Sequence, residues 1–341
     1  MRELTLEEQE KQMDFYNGLD KLYLSPSAIK LLVESPKQYQ ERYIYGNIET
    51  KKAKYFDEGS LLHCMVLQPE ELGNQFINMG VPTPSDSTKT CIDYLLGLER
   101  TAEELEEYSE EIIDYLKEIN LHQSLVDDKK APFLTGDEKR LAKIITENTK
   151  EYFRLMVQAR DKVIVDNVSW DKCLVKAEAI KTNPIASKLL CLDREAEHSR
   201  TEIELRVTGL DFGLKYNVKG ILDHINIDTQ TKTIYVNDLK TTGGLLEDFK
   251  KSYETYGYFL QAYIYSLLGK SVVKNPDDYT VVINFIVVDR NNDVYCFEVT
   301  ENTLKEAEAR TIHLINTEIH YHISNKDFTL PYKFANNLVF L

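Results

Sequence analysis

The chain has 341 residues, and its 41 basic and 56 acidic side chains give a net charge of −15 at pH 7. Because contacts to phosphate come from Lys and Arg, this balance argues against a protein that binds nucleic acid through an overall basic surface. No apolar run approaches the ~20 residues that a membrane helix needs, so the composition also argues against a membrane protein.

The acidic excess is concentrated in one segment. Residues 101–118, TAEELEEYSEEIIDYLKE, contain much of it. The simplest explanation of such a run is a solvated helix face. Metal sites also need carboxylates, so the net charge alone does not exclude a protein that acts on nucleic acid through a metal ion.

The location is predicted from the chain start and the cysteines. The polar first residues, MRELTLEEQEKQMDF, are typical of neither a signal peptide nor a transit peptide. The five cysteines are dispersed and form no CxxC pair. This pattern indicates reduced thiols, not a disulfide framework or a zinc site, and therefore a cytoplasmic protein.

Helix patterns dominate the first 200 residues. Residues 24–43 begin with a Ser-Pro helix start and an apolar stripe, which Pro36 interrupts. Residues 57–68 are largely apolar around His63 and predict a buried helix. Residues 82–90 are rich in Pro, Ser and Thr and predict a loop.

A capping box from Thr101 to Glu104 predicts the start of the acidic helix. Its inward positions are predicted to be Leu105, Ile112, Leu116 and Ile119. Residues 135–160 and 169–191 also have helical periodicity.

The composition changes near residue 201, where β-branched and aromatic residues become frequent. Strands are predicted at 201–207, 215–227, 232–238, 281–288 and 293–299, with helices at about 253–268 and 303–323. We therefore expect an α/β core in residues 201–341. A helical part, residues 22–200 with an acidic insertion at about 95–130, intertwines with this core as one catalytic domain, and residues 1–21 form a polar N-terminal segment.

The segment 220–242, GILDHINIDTQTKTIYVNDLKTT, carries the chemistry. Side chains alternate between the faces of a strand, so Asp238 and Lys240 point the same way, and the hairpin returns Asp223 beside them. Carboxylates of this kind suit Mg²⁺, or Mn²⁺ in its place, and the Leu239 carbonyl is a candidate for a further ligand.

Such a metal activates a bound water, and Lys240 can orient that water or donate to the developing phosphoryl oxygens. The alternative is that Asp and Lys are solvated hairpin residues, which for an isolated D-x-K is favoured by roughly ten to one. The context favours the metal site. Ile234 and Val236 share the face of Asp238 and Lys240, and charges on an apolar face need a partner.

Two further apolar residues, Ile221 and Ile225, are expected to flank Asp223 on its own face. The next helix is expected to bury a stripe formed by Tyr256, Leu260, Ile264 and Leu268. Gln261 and Tyr265 are four residues apart on an adjacent face and could position a phosphate or a metal-bound water. The alternative for this pair is a core tyrosine beside a surface glutamine.

The order Asp223, Asp238-Leu239-Lys240, Gln261-Ala-Tyr-Ile-Tyr265 resembles the D…(D/E)xK…QxxxY series of RecB-type nucleases in the PD-(D/E)xK superfamily. The segments LSPSAIKLLVESPKQY at 24–39 and GSLLHCMVLQPEEL at 59–72 resemble the RecE (exonuclease VIII-like) branch of phages and prophages. Residues 163–190 are similar to the helical section before that family's core, so the resemblance spans most of residues 22–300.

This resemblance implies a restriction-endonuclease-like fold, with a central mixed sheet flanked by helices and a mainly helical N-terminal half. It implies that His63 belongs to the metal site, together with an acidic residue on the strand that enters the hairpin. Glu202 and Glu204 both fit that position, and Glu204 is preferred. Ser35 stands where iron–sulfur relatives have a cysteine, so no Fe–S cluster is expected.

The function implied is 5′-to-3′ exonucleolytic digestion of linear double-stranded DNA in recombination, by a magnesium-dependent enzyme in the cytoplasm of a bacterial host. The resemblance also implies a ring-shaped homo-oligomer and a single-strand annealing protein as partner. Two alternatives stay open. One is a single-strand or structure-specific nuclease of the same superfamily, and the other is a catalytically inactive DNA-binding or assembly protein on this fold.

Overall fold

The computed structural model describes residues 5–47, 54–98, 104–123, 134–159, 161–192 and 198–335, with the backbone alone for 54–57. This part of the chain divides into two compact units. One unit combines Met1–Gln68 with Leu174–Leu341, and the other is Pro69–Cys173. The change in composition at residue 201 marks the long strands of the first unit, not the boundary between the two units.

Helices occur along the whole described part of the chain. Those in the first 190 residues are α1 (Leu6–Asn17), α2 (Pro26–Glu34), α3 (Pro36–Tyr39), α4 (Lys54–Leu67), α5 (Leu72–Gln75), α6 (Asp86–Gly97), α7 (Ser109–Glu118), α8 (Gly136–Ile144), α9 (Glu147–Gln158), α10 (Asn167–Thr182) and α11 (Pro184–Leu189). Those in the remainder are α12 (Phe249–Thr255), α13 (Tyr258–Lys270), α14 (Glu301–His313) and α15 (His320–Asn325). Within the described residues, no helix combines the length and apolar character needed to cross a bilayer.

The strands form two sheets. They are β1 (Tyr23–Leu24), β2 (Phe76–Met79), β3 (Val163–Asp166), β4 (Ser199–Val207), β5 (Asn217–Asp228), β6 (Thr233–Thr241), β7 (Thr280–Val288) and β8 (Val294–Glu298). The main sheet has the order β1-β5-β6-β7-β8, with β4 also paired to β5. It is mixed, because β1 and β7 run parallel to their neighbours β5 and β6 while the other pairs are antiparallel. The predicted class, a central mixed sheet flanked by helices, is confirmed.

β5 and β6 separate like the arms of a fork. Their backbone ladder runs from the hairpin turn to the pair His224 and Asn237, and ends there. Beyond that pair β6 continues beside β7, while β5 continues beside β4. The next residues on the two arms are Asp223 and Asp238, so both carboxylates stand at the point where the strands diverge.

The two-residue alternation of β5 breaks at this fork. A Cβ on Gly220 would meet Tyr265 and Leu268 of α13, so position 220 faces α13. Ile225 also faces α13, because it pairs with Val236, which lies against Gly269 of that helix. Two positions five residues apart cannot share a face in a regular strand. The predicted flanking of Asp223 by Ile221 and Ile225 on one face is therefore wrong, and Ile221 is 50% exposed.

Helix α13 covers one face of the sheet because its residues are apolar almost all round. Leu260, Ile264 and Leu268 are buried in the core as predicted. The predicted helix at 253–268 is in fact two helices, since Gly257 adopts a left-handed conformation (φ +68°) that breaks it. Tyr256 therefore falls outside α13 and is 56% exposed, not in the buried stripe.

Residues that cap helix N-termini also divide two other predicted helices. Thr146 caps the start of α9, so residues 135–160 form two helices. Asn183 accepts hydrogen bonds from the amides of Ile185 and Ala186 ahead of Pro184, which starts α11. The predicted loop at 82–90 extends only to Ser85, because α6 begins at Asp86.

The unit Pro69–Cys173 is built from helices around a short parallel pair, β2 with β3. Its acidic segment buries Leu105, Ile112 and Leu116 as predicted, whereas Ile119 is 40% exposed at the end of α7. The capping box predicted from Thr101 lies outside the described residues. Two acidic side chains of the segment, Glu104 and Glu106, form ion pairs with basic residues of α9.

Candidate active site

Asp223 lies between β5 and β6 at the point where the two strands diverge. Its Oδ2 accepts a hydrogen bond from the backbone N–H of Leu239 at 2.8 Å. The side chain therefore takes the place of a backbone carbonyl where the β5–β6 ladder has ended. This bond ties the carboxylate of one arm to the backbone of the other, directly beside Asp238.

The buried Asp238 and the partly buried Lys240 form an ion pair on the face that α13 covers. Asp238 is 1% exposed, and its Oδ2 pairs with the Lys240 ammonium. That ammonium also lies 5.2 Å from the centre of the Tyr258 ring. The other carboxylate oxygen, Oδ1, is buried and has no hydrogen-bond partner among the residues that the structure describes. Ile234 and Val236, predicted to share this face, are fully buried.

The electrostatics reflect this burial. Burial raises the pKa of the Asp238 carboxyl to about 6, although the Lys240 ammonium opposes the shift and Asp223 adds to it. Burial lowers the pKa of Lys240, but the negative charges of Asp238 and Asp223 outweigh it, so that pKa is raised overall. The lysine therefore stays charged, and the Asp238 carboxyl is still mostly ionised at neutral pH, where a further positive charge would stabilise its buried negative charge.

His63 of α4 reaches the same point of the fork. Its Nε2 lies 2.9 Å from the carbonyl oxygen of Leu239. A carbonyl only accepts hydrogen bonds, so Nε2 carries the proton. The other ring nitrogen, Nδ1, faces Glu202 Oε1 at 3.5 Å and Asp223 Oδ2 at 3.7 Å. Burial lowers the pKa of His63, but Asp223 and the contact with Glu202 raise it more, to about 9.

The structure distinguishes the two candidates for the upstream acidic residue. Glu202 has a left-handed backbone (φ +48°) and lies on β4 opposite Asp223, with its carboxylate beside His63. The carboxylate of Glu204 instead accepts two hydrogen bonds from Arg206, at 3.1 and 2.8 Å. The structure thus places Glu202, and not the preferred Glu204, beside His63 and Asp223, and Glu202 is the candidate for the metal site.

Gln261 and Tyr265 lie together on α13, as their spacing predicts. Gln261 Nε2 is 3.4 Å from the Tyr265 hydroxyl, and Gln261 Oε1 is buried without a partner in the described part of the chain. Both side chains line a cavity of about 460 Å³ that Asp223 and Glu202 also line. Gly220 makes this possible, because a Cβ there would lie 2.9 Å from the Tyr265 ring.

These residues fit a divalent metal ion. His63, Glu202 and Asp223 offer ligand atoms that all lie within 4.8 Å of one another. With Nε2 held by the Leu239 carbonyl, Nδ1 is the nitrogen that faces the carboxylates, and a metal would bind there in place of the Nδ1 proton, an arrangement typical of metal-bound histidines. Mostly carboxylate donors suit Mg²⁺ and Mn²⁺. The Leu239 carbonyl, predicted as a ligand, is the hydrogen-bond partner of His63 here.

Sequence patterns did not reveal two features of the site. Tyr258, whose ring lies beside Lys240, gave no signal by spacing, because its position depends on the break at Gly257. The second feature is a group of buried polar residues behind the fork, which includes His224 and Asn237. Burial lowers the pKa of His224 to about 4, so this histidine is neutral.

The family model of the PD-(D/E)XK nuclease superfamily matches residues 23–321. The chain belongs to the PD-(D/E)XK nuclease superfamily. The matched region contains the fork, its two aspartates and Lys240, and membership supports nuclease activity with divalent metal ions. The match does not separate the branches of the superfamily, so the RecE-like branch stays a prediction.

No curated protein matches this chain. A similar solved structure is that of a candidate exonuclease from Eubacterium rectale. The two chains are 12% identical and superpose with a TM-score of 0.47, over 96% of this chain and 88% of the other. At that similarity substrates and mechanisms can differ, so the assignment to the nuclease superfamily stands on the family match.

Proposed function

We propose that this chain is a metal-dependent deoxyribonuclease, and more specifically a 5′-to-3′ exonuclease that digests linear double-stranded DNA with Mg²⁺ during recombination. One observation carries the proposal. The Asp238 carboxylate is almost fully buried, has an unpartnered Oδ1 and forms its ion pair with a lysine two residues along the same strand. Most buried polar atoms in folded proteins have a partner, and a metal ion would supply one for this oxygen.

The proposed roles follow from the contacts. His63 Nδ1, Glu202 and Asp223, whose ligand atoms lie close together, would hold the metal, and Asp238 would supply a further carboxylate. When bound, the ion would lower the pKa of a water and offset charge on the phosphoryl oxygen. Lys240 is kept charged by Asp238 and would donate to the phosphate as charge develops. Gln261 and Tyr265 would position the phosphate or the attacking water in the cavity that they line.

Direction, duplex preference and assembly depend on the resemblance to the RecE-like branch alone. A ring of subunits would let basic residues line a DNA channel while acidic residues face outward, which reconciles the net charge of −15 with a DNA substrate. A single-strand annealing protein would then receive the 3′ overhang.

The test is digestion of linear duplex DNA, labelled separately at each end, with Mg²⁺ or Mn²⁺. Asp238→Asn and Lys240→Ala are compared with the wild type, and a closed circular duplex serves as a second substrate. We expect nucleotides to be lost from 5′ ends of the linear duplex only, and both variants to cleave at least about 100-fold more slowly than the wild type.

A matched control is Lys305→Ala, which removes an exposed lysine from α14 whose ion pair with Glu301 is also exposed. It should cleave like the wild type. Cleavage of circles would instead indicate an endonuclease of the same superfamily. If the folded wild type cleaves no DNA with either metal, the enzymatic proposal is wrong and a binding or assembly role remains.

A further inference from the structure

A chain of buried polar side chains lies behind the fork, on the sheet face opposite Asp238 and Lys240. His224 and Asn237 are fully buried, and Asn284 is 2% exposed. Each belongs to a different strand, namely β5, β6 and β7, and Ser199 of β4 extends the chain by one more strand. Four adjacent strands are therefore linked by side chains as well as by their backbones.

The hydrogen bonds have one consistent direction. Asn237 Nδ2 donates to the carbonyl of Leu189 at 2.9 Å, which fixes the orientation of the amide because a carbonyl only accepts. The same nitrogen lies 2.9 Å from His224 Nδ1, so Nδ1 accepts and Nε2 carries the proton. Nε2 then donates to Ser199 Oγ at 2.8 Å, while Asn237 Oδ1 accepts from Asn284 Nδ2 at 2.8 Å.

The hydrogen-bonded side chains lie at the point of the sheet where β5 and β6 diverge. His224 and Asn237 form the last backbone pair of β5 and β6 before the strands diverge. Each is the chain neighbour of one of the two aspartates, so their Cα atoms lie only about 3.8 Å from those of Asp223 and Asp238. Asn284 supports Asn237 from β7, where it is the register partner of Asn237.

We propose that Ser199, His224, Asn237 and Asn284 act as a positioning network that sets the separation of Asp223 and Asp238 across the fork, and thereby the affinity of the site for a divalent metal ion. This inference rests on the proposed function. None of the four residues is placed to touch the metal. They act by holding the two strand backbones at the angle at which the carboxylates meet.

The test measures Mn²⁺ binding to the full-length chain by calorimetry, together with the Mn²⁺ concentration that gives half-maximal cleavage of linear duplex DNA. The main comparison is His224→Leu with His224→Gln. Glutamine can still accept from Asn237 and donate to Ser199, whereas leucine can do neither, and neither substitution changes the charge of a neutral histidine.

We expect His224→Leu to weaken Mn²⁺ binding by about 10- to 100-fold, the range found when supporting residues of metal sites are removed. At saturating Mn²⁺ its cleavage rate should recover to within a few-fold of the wild type. His224→Gln should bind within about threefold of the wild type, a rescue that a requirement for bulk alone does not explain. Equal Mn²⁺ affinities for two folded variants would overturn the inference.

A second pair covers the case in which His224→Leu does not fold. Asn284→Ala removes the donor to Asn237 from a strand that carries neither aspartate, and Asn226→Ala makes the same change on β5 at a half-buried position. We expect weaker Mn²⁺ binding for Asn284→Ala only, and equal binding by the two variants would overturn the inference.

Failure of the proposed function is distinguishable from failure of this inference. If the wild type binds no Mn²⁺, or if Asp238→Asn binds it equally well, the metal-site proposal itself is wrong and the positioning network is wrong with it. If Asp238→Asn abolishes binding while His224→Leu leaves it unchanged, the metal site stands and the positioning network alone is refuted.

Discussion

Two sets of buried polar residues stand back to back at the fork of the sheet, and they differ in how completely they are hydrogen bonded. Behind the fork, Asn237 uses both donor hydrogens and its oxygen. In front of it, the next residue, Asp238, has a buried oxygen without a partner in the described structure. Fully paired polar groups stabilise and specify a fold, whereas an unpaired buried oxygen costs stability and needs another explanation.

The site can therefore contain repulsive interactions between carboxylates while the fold remains stable. The charged set in front has three carboxylates, on Glu202, Asp223 and Asp238, against the Lys240 ammonium and the His63 imidazolium, so it carries one negative charge in excess. The neutral set behind carries no charge that could add to this repulsion. Two adjacent residues of β6 thus have different roles: Asp238 faces the proposed reaction site, and Asn237 holds the backbone in place.

The largest expected effect comes from breaking the charged side. Lys240→Ala should lower the cleavage rate by about 10²- to 10³-fold, the range for loss of one donor to a developing oxyanion. Stability should change little, because the uncompensated Asp238 carboxyl can take up a proton. Rates under saturating Mg²⁺ and thermal unfolding would be measured beside the Lys305→Ala control, and a rate within threefold of that control would contradict the proposed role.

A second prediction tests which acidic residue of β4 belongs to the charged side of the fork. Glu202→Gln should weaken Mn²⁺ binding by about 10- to 100-fold, and the stabilisation of the fold by added Mn²⁺ should fall with it. Glu204→Gln, two residues away on the same strand, should behave like the wild type because Glu204 is paired with Arg206. Denaturant unfolding with and without Mn²⁺ measures both, and the reverse order of effects would restore Glu204 as the metal-site residue.

Breaking the neutral side should cost stability first. Asn237→Ala leaves the acceptor His224 Nδ1, the Leu189 carbonyl and the Asn284 donor unpaired in a buried position. We expect the free energy of unfolding to fall by about 1–3 kcal/mol. Urea unfolding of the metal-free protein measures this directly, with Asn226→Ala as the control that should change by less than ~0.5 kcal/mol. An equal loss in both variants would mean that the network adds nothing specific.

The smallest expected effect concerns the wall of the cavity. Gly220→Ala would place a methyl group against the Tyr265 ring and should destabilise the fold by about 1 kcal/mol, with a matching few-fold loss of cleavage rate. Gly243→Ala meets nothing within 4 Å and is the control. Unchanged stability and rate in Gly220→Ala would show that Tyr265 can move without consequence.

Chain patterns predicted most of the elements, since the amphipathic spacing and cap residues that form them are local. The spacing of Asp238 and Lys240 predicted a shared face, and the structure confirms that they pair. The four-residue spacing of Gln261 and Tyr265 likewise predicted their contact. Errors arose where a local pattern continued across a break, as at Gly257, where one residue in a left-handed conformation ended the helix and left Tyr256 exposed.

The choice between Glu202 and Glu204 could not be made from the sequence, because both have the same parity on β4. The left-handed conformation of Glu202 and the break in the alternation of β5 decide it, and neither is encoded by a glycine or a proline. The sequence did not predict the neutral network for a related reason. His224, Asn237 and Asn284 are separated by 13 and 47 positions along the chain, and only strand pairing brings them together.

The sequence by itself determined most of the secondary structure, the mixed α/β class and the set of residues that resembles a nuclease motif, because these depend on residue type and short-range spacing. Only the tertiary structure decided where β5 and β6 part, which acidic residue meets His63, and which buried polar groups are left unpartnered. Those features depend on contacts between distant segments, whose energies are set by packing and hydrogen-bond geometry and not by local propensity.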